Sequence, residues 1–268
     1  MSDIRLGRPL IIVPQVDSTN SLLLRMLAED PSLAEGTTIV AEEQTSGRGR
    51  RGRSWFCAAE SLACSVLLKP SVPLSEATTL TLVAAVAVHH ALSPWIPNLA
   101  IKWPNDLLVG ERKLCGILTE SSSHGGVLQG LVVGIGLNID APKGGWPDDI
   151  ASIACSVNEC SSNGHGILPP YVNGHGVLPP HVKVWHRDDC LQAITVSFDA
   201  YYRLWQAQGF SPIRQAWQAA HAHQDRSITI AGGTAPRQGI ARGLDHDGAL
   251  LLETKEGMER VICGEVSA

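Results

Sequence analysis

Between Gly47 and Trp55 the chain reads Gly-Arg-Gly-Arg-Arg-Gly-Arg-Ser-Trp, with four arginines and three glycines inside seven residues. Such a run repels itself, and its glycines impose no preferred backbone shape. It has little reason to be ordered until something anionic neutralises it, so it reads as a loop between regular elements. The rest of the chain is mildly acidic, with a formal net charge of −5. A general nucleic-acid binder needs a broad basic face, so the arginine run is a local feature that favours a small anion over a polymer.

The 268 residues, 44% of them hydrophobic, suffice for one large domain or a domain with a small satellite. Residues 1–12 carry Asp3, Arg5 and Arg8 and no apolar run of signal-peptide length. The most apolar stretch, Leu80 to Leu92, is too short to span a bilayer, so no membrane partner is expected. Seven scattered cysteines without a Cys-x-x-Cys pair suggest reduced thiols and a cytoplasmic location.

Asp17-Ser18-Thr19-Asn20 looks like an N-cap opening a helix that ends near Asp30-Pro31. Strands are expected at 37–43 and 62–69, and a single buried helix at 74–92. Extended segments follow at 100–103, 113–121 and 128–139, with a hairpin turn at Gly110-Glu111-Arg112. Amphipathic helices are expected at 189–208 and 212–223. This pattern predicts an α+β fold, a mixed sheet with helices packed on one face. After Asp225 short strands at 227–231, 238–244, 249–253 and 260–263 alternate with Gly- and Asp-rich turns, as in a small SH3-like β-barrel. The division is therefore 1–225 and 226–268. Residues 163–172 are nearly repeated at 173–182, inside a Pro/Gly-rich insertion spanning about 158–186 that reads as an exposed loop. Its histidines have no acidic or thiol partners at fixed spacing, so a duplicated surface insertion outweighs a metal site.

The arginine run lacks the Walker spacing, and its G-x-G-x-x-G match precedes no helix start, so it is not a Rossmann fingerprint. Glycines let backbone N–H groups approach phosphate oxygens while guanidinium forks bind them. An RGG-like nucleic-acid segment remains about level with that reading on the loop alone. Lys102-Trp103-Pro104-Asn105-Asp106 shifts the balance, because it packs a cation, an aromatic and two oxygen-bearing side chains into one short stretch expected to be extended. A hairpin joining it to Lys113 would bring Asp106 and Lys113 near each other on opposing arms.

Taken together, Asp17 to Asn20, Gly47 to Trp55, Lys102 to Asp106, Lys113 to Glu120 and Gly134-Ile135-Gly136-Leu137-Asn138 resemble the biotin protein ligases, in that family's order. Gly248 to Glu253 and Gly264-Glu265-Val266 resemble the family's terminal β-barrel, so only the repeated insertion falls outside the likeness. The resemblance implies the class II synthetase-like biotin/lipoate ligase fold. It implies ATP and biotin as substrates, Mg2+ as cofactor, biotinyl-5′-adenylate as intermediate, and a biotin carboxyl carrier protein or carrier domain of a carboxylase as partner. By the same resemblance Ser18, Thr19, Asn20 and Gln44 would bond biotin, Arg48, Gly49 and Arg50 would close over biotin and the adenylate, Trp55 would form part of the wall around them, and Gly47 and Arg53 would belong to the same binding set. Lys113 would hold biotin's carboxylate and the α-phosphate, with Gly116 and Asn138 beside the pocket. Lys113, Arg50 and Asp106 are the catalytic candidates, and Asp106 with Asn105 the candidate Mg2+ ligands. About sixteen residues precede Asp17, too few for the helix-turn-helix of the family's repressors, so the monofunctional class is expected, with no DNA partner. A homodimer stays open. A non-catalytic adenylate sensor and a lipoate- or octanoate-using sibling are the competing readings.

Overall fold

The computed structural model describes residues 6–57, 61–125, 127–161, 184–232 and 235–267. Its larger sheet has seven strands in the order β1-β2-β3-β7-β6-β5-β4. These are β1 Leu10–Val16, β2 Thr38–Gln44, β3 Ser61–Leu68, β4 Leu99–Lys102, β5 Asp106–Val109, β6 Arg112–His124 and β7 Val127–Asn138. Only the β1–β2 pairing is parallel; the others are antiparallel, so the sheet is mixed as expected. Strand β1 was not anticipated. Pro14 interrupts its apolar run, and it is tolerated because β1 lies at the sheet edge.

Every residue of β3 is buried, because both faces of the sheet are covered here. On one face lie α3 (Leu80–Leu92), α5 (Arg187–Gln208) and α6 (Ser211–Ala219), which meet Leu62, Cys64, Val66 and Leu68 in the main core. On the other, α1 (Thr19–Glu29) sets Leu23 and Leu27 against Ile39, Leu67 and Val132. Helices α3, α5 and α6 share a face as expected, and α1 adds a cover opposite them. The expected helix 74–92 is divided into α2 (Leu74–Ala77) and α3, where the Thr79 hydroxyl donates back to Glu76 O at 2.6 Å and accepts from Trp205 Nε1 at 2.9 Å. Helix α4 (Val157–Cys160) opens the insertion. The repeat at 163–182 lies outside the described residues, but its flanks are joined: Asn158 accepts from Trp185 N–H at 2.7 Å and donates to Trp185 O at 2.9 Å.

The second sheet is antiparallel with five strands, β8 Ser227–Ala231, β9 Arg237–Leu244, β10 Leu250–Thr254, β11 Gly257–Val261 and β12 Glu265–Ser267, ordered β11-β10-β9-β8-β12. It is the SH3-like unit anticipated, with one correction. The strand expected at 260–263 ends at Val261, and after Gly264 (φ 152°) the chain returns as β12 to pair with β8. That return carries Glu265 to the larger sheet. Trp103 Nε1 donates to Gly248 O at 3.1 Å, and Ile101 exchanges backbone bonds with Ala220 and Ala222, so the two sheets meet at the β4 edge.

Candidate active site

A cavity opens where the start of α1, the arginine loop, the β4–β5–β6 ribbon and the tip of β12 converge. At the first of these, Ser18 is extended and precedes the helix, so Thr19 and Asn20 open its first turn, where both are buried. The Thr19 N–H, which has no partner inside the helix, donates to Gln44 Oε1 at 2.8 Å. Asn20 Nδ2 donates to Leu118 O at 3.1 Å and to Glu120 Oε2 at 2.9 Å. Four neutral polar side chains, Ser18, Thr19, Asn20 and Gln44, thus line one end of the cavity.

The arginine loop is a small closed ribbon. Trp55 N–H donates to Gly47 O at 2.9 Å and Gly49 N–H to Arg53 O at 2.8 Å. Arg50–Gly52 form a single 3-10 turn in which Arg51 has φ 58°. Gly47 does not line the cavity; a Cβ there would land on Trp55 O, so its role is to let the ribbon close. The self-repulsion implied by sequence is answered by a partner for each arginine. Arg48 pairs with Glu120 at 2.9 Å, and Arg50 Nη1 donates to Asn105 Oδ1 at 3.2 Å. Arg51 donates to Gly232 O at 2.9 Å, and Arg53 pairs with Glu265. Trp55 lies across Gly116 and Gly136, where any Cβ would meet its ring. The strand glycines are therefore the floor under an aromatic wall.

The ribbon supplies charge. Trp103-Pro104-Asn105 form a turn, not the extended stretch expected, and this sets Lys102 opposite Asp106 as the last pair of β4 and β5. The two-residue turn at Gly110 (φ 63°) returns the chain so that Lys113 Nζ lies 2.8 Å from Asp106 Oδ1, the juxtaposition anticipated. Lys113 also sits 5.4 Å from the Trp55 ring centroid. Burial lowers the pKa of Lys102 and of Arg50, with Asp106 opposing the shift in both. Cations from Arg48, Arg50, Arg53, Lys102 and Lys113 face only Asp106 and Glu265 among the acidic side chains of the lining. This end is built for an anion.

Of the residues anticipated, all but Gly47 and Asn138 line the cavity. Asn138 is instead buried behind it, donating to Cys155 O at 3.0 Å and Lys113 O at 3.4 Å, so it secures the backbone that carries Lys113. Sequence reasoning missed Lys102, Gly134 and Glu265 as lining groups, although each lies in a motif already noted. Asn105 and Asp106 do not fit a resident Mg2+. Asn105 Oδ1 accepts from Arg50 and Asp106 is paired with Lys113, so an ion there would sit between two cations.

The fold and site define a class, the biotin/lipoate ligase-type domains joined to a C-terminal antiparallel sheet. The Biotin/lipoate A/B protein ligase family model matches residues 12–138, and the Biotin protein ligase C terminal domain model matches residues 223–268. A biotin–[acetyl-CoA-carboxylase] ligase of Paracoccus denitrificans is 35% identical over 263 residues, 95% of this chain and 98% of that one. The bifunctional ligase/repressor BirA of Bacillus spizizenii is 30% identical, with 97% of this chain and 74% of that protein covered. The structure of the Aquifex aeolicus biotin protein ligase in complex with biotin and ATP superposes with a TM-score of 0.74 at 26% identity, covering 97% and 98% of the two chains. The chain belongs to the biotin protein ligase family.

Proposed function

We infer that this cavity activates biotin with ATP to biotinyl-5′-adenylate and pyrophosphate and then passes biotin to a carrier lysine. The observation that carries the reading is the polarity of the cavity: a neutral hydroxyl-and-amide end runs into an end lined by Lys102, Lys113 and Arg50. Biotin's ureido ring both donates and accepts, which suits the first end. Its carboxylate and the α-phosphate are both anionic and must be held together, which only the second end does. Lys113 lies between Asp106 and Trp55 and is placed to bridge the two anions, while Arg50 and Lys102 stabilise the departing pyrophosphate. A divalent ion on the triphosphate would add charge neutralisation, held by the nucleotide and not by this chain.

In the second step an amine with a reference pKa of about 10.4 must attack in neutral form. Drawing Lys113 to the adenylate frees the Asp106 carboxylate to accept that proton. The acceptor is a biotin carboxyl carrier domain. The catalytic unit ends near Asp225, and the enzyme works in the cytoplasm; among the described residues no helix is long and apolar enough to cross a membrane. The test is biotin-dependent exchange of pyrophosphate into ATP, with lipoate and octanoate offered in parallel. Exchange with biotin alone supports the reading. Binding of biotin without exchange would make the chain a sensor, and exchange with octanoate or lipoate would make it the sibling ligase.

A further inference from the structure

Three residues that take no part in the proposed function, Ser65, Glu120 and Gly134, converge on Asn20. Both Asn20 amide protons are engaged, one by Leu118 O at 3.1 Å and one by Glu120 Oε2 at 2.9 Å. A main-chain carbonyl and a carboxylate can only accept, so they fix which side of the amide carries nitrogen. Oδ1 must therefore face the other way. There, fully buried Ser65 lies 2.6 Å from Asn20 Oδ1 and 2.7 Å from Thr19 Oγ1. Asn20 Oδ1 can only accept, so it takes the Ser65 proton, while the Thr19 hydroxyl, 2.7 Å from Ser65 Oγ, also lies 3.2 Å from Gln44 Oε1. Asn20 is left with no donor and one lone pair on Oδ1. That oxygen lies over Gly134, part of the cavity lining, where any Cβ would collide with it.

We propose that Glu120 and Ser65 are positioning residues that lock Asn20, which the family resemblance already sets against biotin, in the one orientation that offers its Oδ1 acceptor and no donor to a ureido N–H. The proposal rests on the ligase reading of the same cavity. A carboxylic acid with no N–H at this end leaves a buried oxygen half-paired, and such omissions discriminate strongly in enclosed sites. Glu120 has a second contact, its 2.9 Å ion pair with Arg48. The carboxylate that orients the ring reader thus also holds the loop that covers it, while standing outside the cavity lining itself.

Biotin-dependent pyrophosphate exchange by the wild type comes first, since its absence would remove the ligase reading and not this inference alone. With exchange in hand, Glu120→Leu and Ser65→Ala are compared with wild type on biotin and on the two mono-N-methyl derivatives of its ureido ring. Freed of its anchor, Asn20 can rotate, and the KM for biotin should rise about 10- to 100-fold in Glu120→Leu with the KM for ATP and kcat each within about threefold. Ser65→Ala should move in the same direction by a smaller factor. The preference for biotin over at least one methylated derivative should fall about tenfold or more, and Glu120→Gln, which still offers Asn20 an acceptor, should restore most of it. A merely structural role would lower kcat and thermal stability without touching that preference. Unchanged discrimination against both derivatives in folded Glu120→Leu and Ser65→Ala, with biotin exchange intact, overturns the inference and leaves the ligase reading standing.

Discussion

Lys113 and Asp106 form one ion pair, yet the proposed function gives them different steps. Lys113 Nζ lies 2.8 Å from Asp106 and 5.4 Å from the Trp55 ring, and on the proposed reading it bridges the carboxylate and the α-phosphate. Lys113→Gln removes that charge, and removing a single preorganised donor to a developing anion lowers the rate about 10²- to 10³-fold. The loss should appear in biotin-dependent pyrophosphate exchange; exchange within tenfold of wild type would relieve Lys113 of this role. Asp106→Asn should behave otherwise. Transfer from preformed biotinyl-adenylate to the carrier lysine should slow by about 10²-fold, the ordinary worth of a proton acceptor, while binding of the adenylate persists. Wild-type transfer by Asp106→Asn would sink the proton-acceptor assignment. Reading the sequence identified both residues, since seven positions and a turn place them on facing strands. It could not identify Glu265 as a lining residue. That carboxylate arrives from a strand 152 residues after Lys113 in sequence, and no local pattern announces such a meeting.

At the scale of elements, legibility followed periodicity. The helices α1 and α5 and the strands β2, β3, β6 and β7 were evident from apolar spacing, whereas β1 and the α2–α3 break turned on Pro14 and Thr79, whose effects depend on distant neighbours. The glycines of β7 show the same limit: Gly136 reads as a weak strand residue until Trp55 is seen lying on it. Gly136→Ala forces that ring out of the cavity wall. Overpacking of this kind costs roughly 1–3 kcal/mol, so the Kd for biotin measured calorimetrically should rise about tenfold or more. An unaltered Kd would mean that the wall is not where biotin packs. A second element-level expectation concerns the turn after α6. Burial lowers the His221 pKa from 6.5 to about 4, and its ring lies 4.5 Å from that of Trp217, tilted by 37°. An unfolded His221 takes up a proton first as pH falls, so the stability it contributes is complete above about pH 6.5 and is lost down to about pH 4. Between pH 7 and 4.5 wild type should lose about 2 kcal/mol more than His221→Gln in urea unfolding. Parallel losses in the two proteins would show that the ring is not held neutral.

At the scale of the molecule, the arginine loop is the member common to every wall. Its four cations reach Glu120 on β6, Asn105 at the head of β5, and Gly232 and Glu265 on the second sheet. The run that by sequence should repel itself is instead distributed over both sheets, one arginine to each anchor. Two of the anchors belong to the C-terminal unit, which makes that unit part of the cover over the site and not an appendage. An anhydride intermediate needs such a cover against water. Biotin should therefore slow tryptic cleavage after Arg48, Arg50, Arg51 and Arg53, because ligand anions add to the existing anchors. Glu265→Gln removes the partner of Arg53, a partly exposed pair worth at most about 1 kcal/mol. Opening of the loop should then become up to about fivefold more frequent. Cleavage without biotin should accelerate by that factor, and so should release of AMP from ATP and biotin in the absence of acceptor, with the KM for biotin little altered. Equal cleavage of wild type with and without biotin would count against closure itself. Faster cleavage in Glu265→Gln without added AMP release would show that the loop moves but that the second sheet has no part in shielding the intermediate.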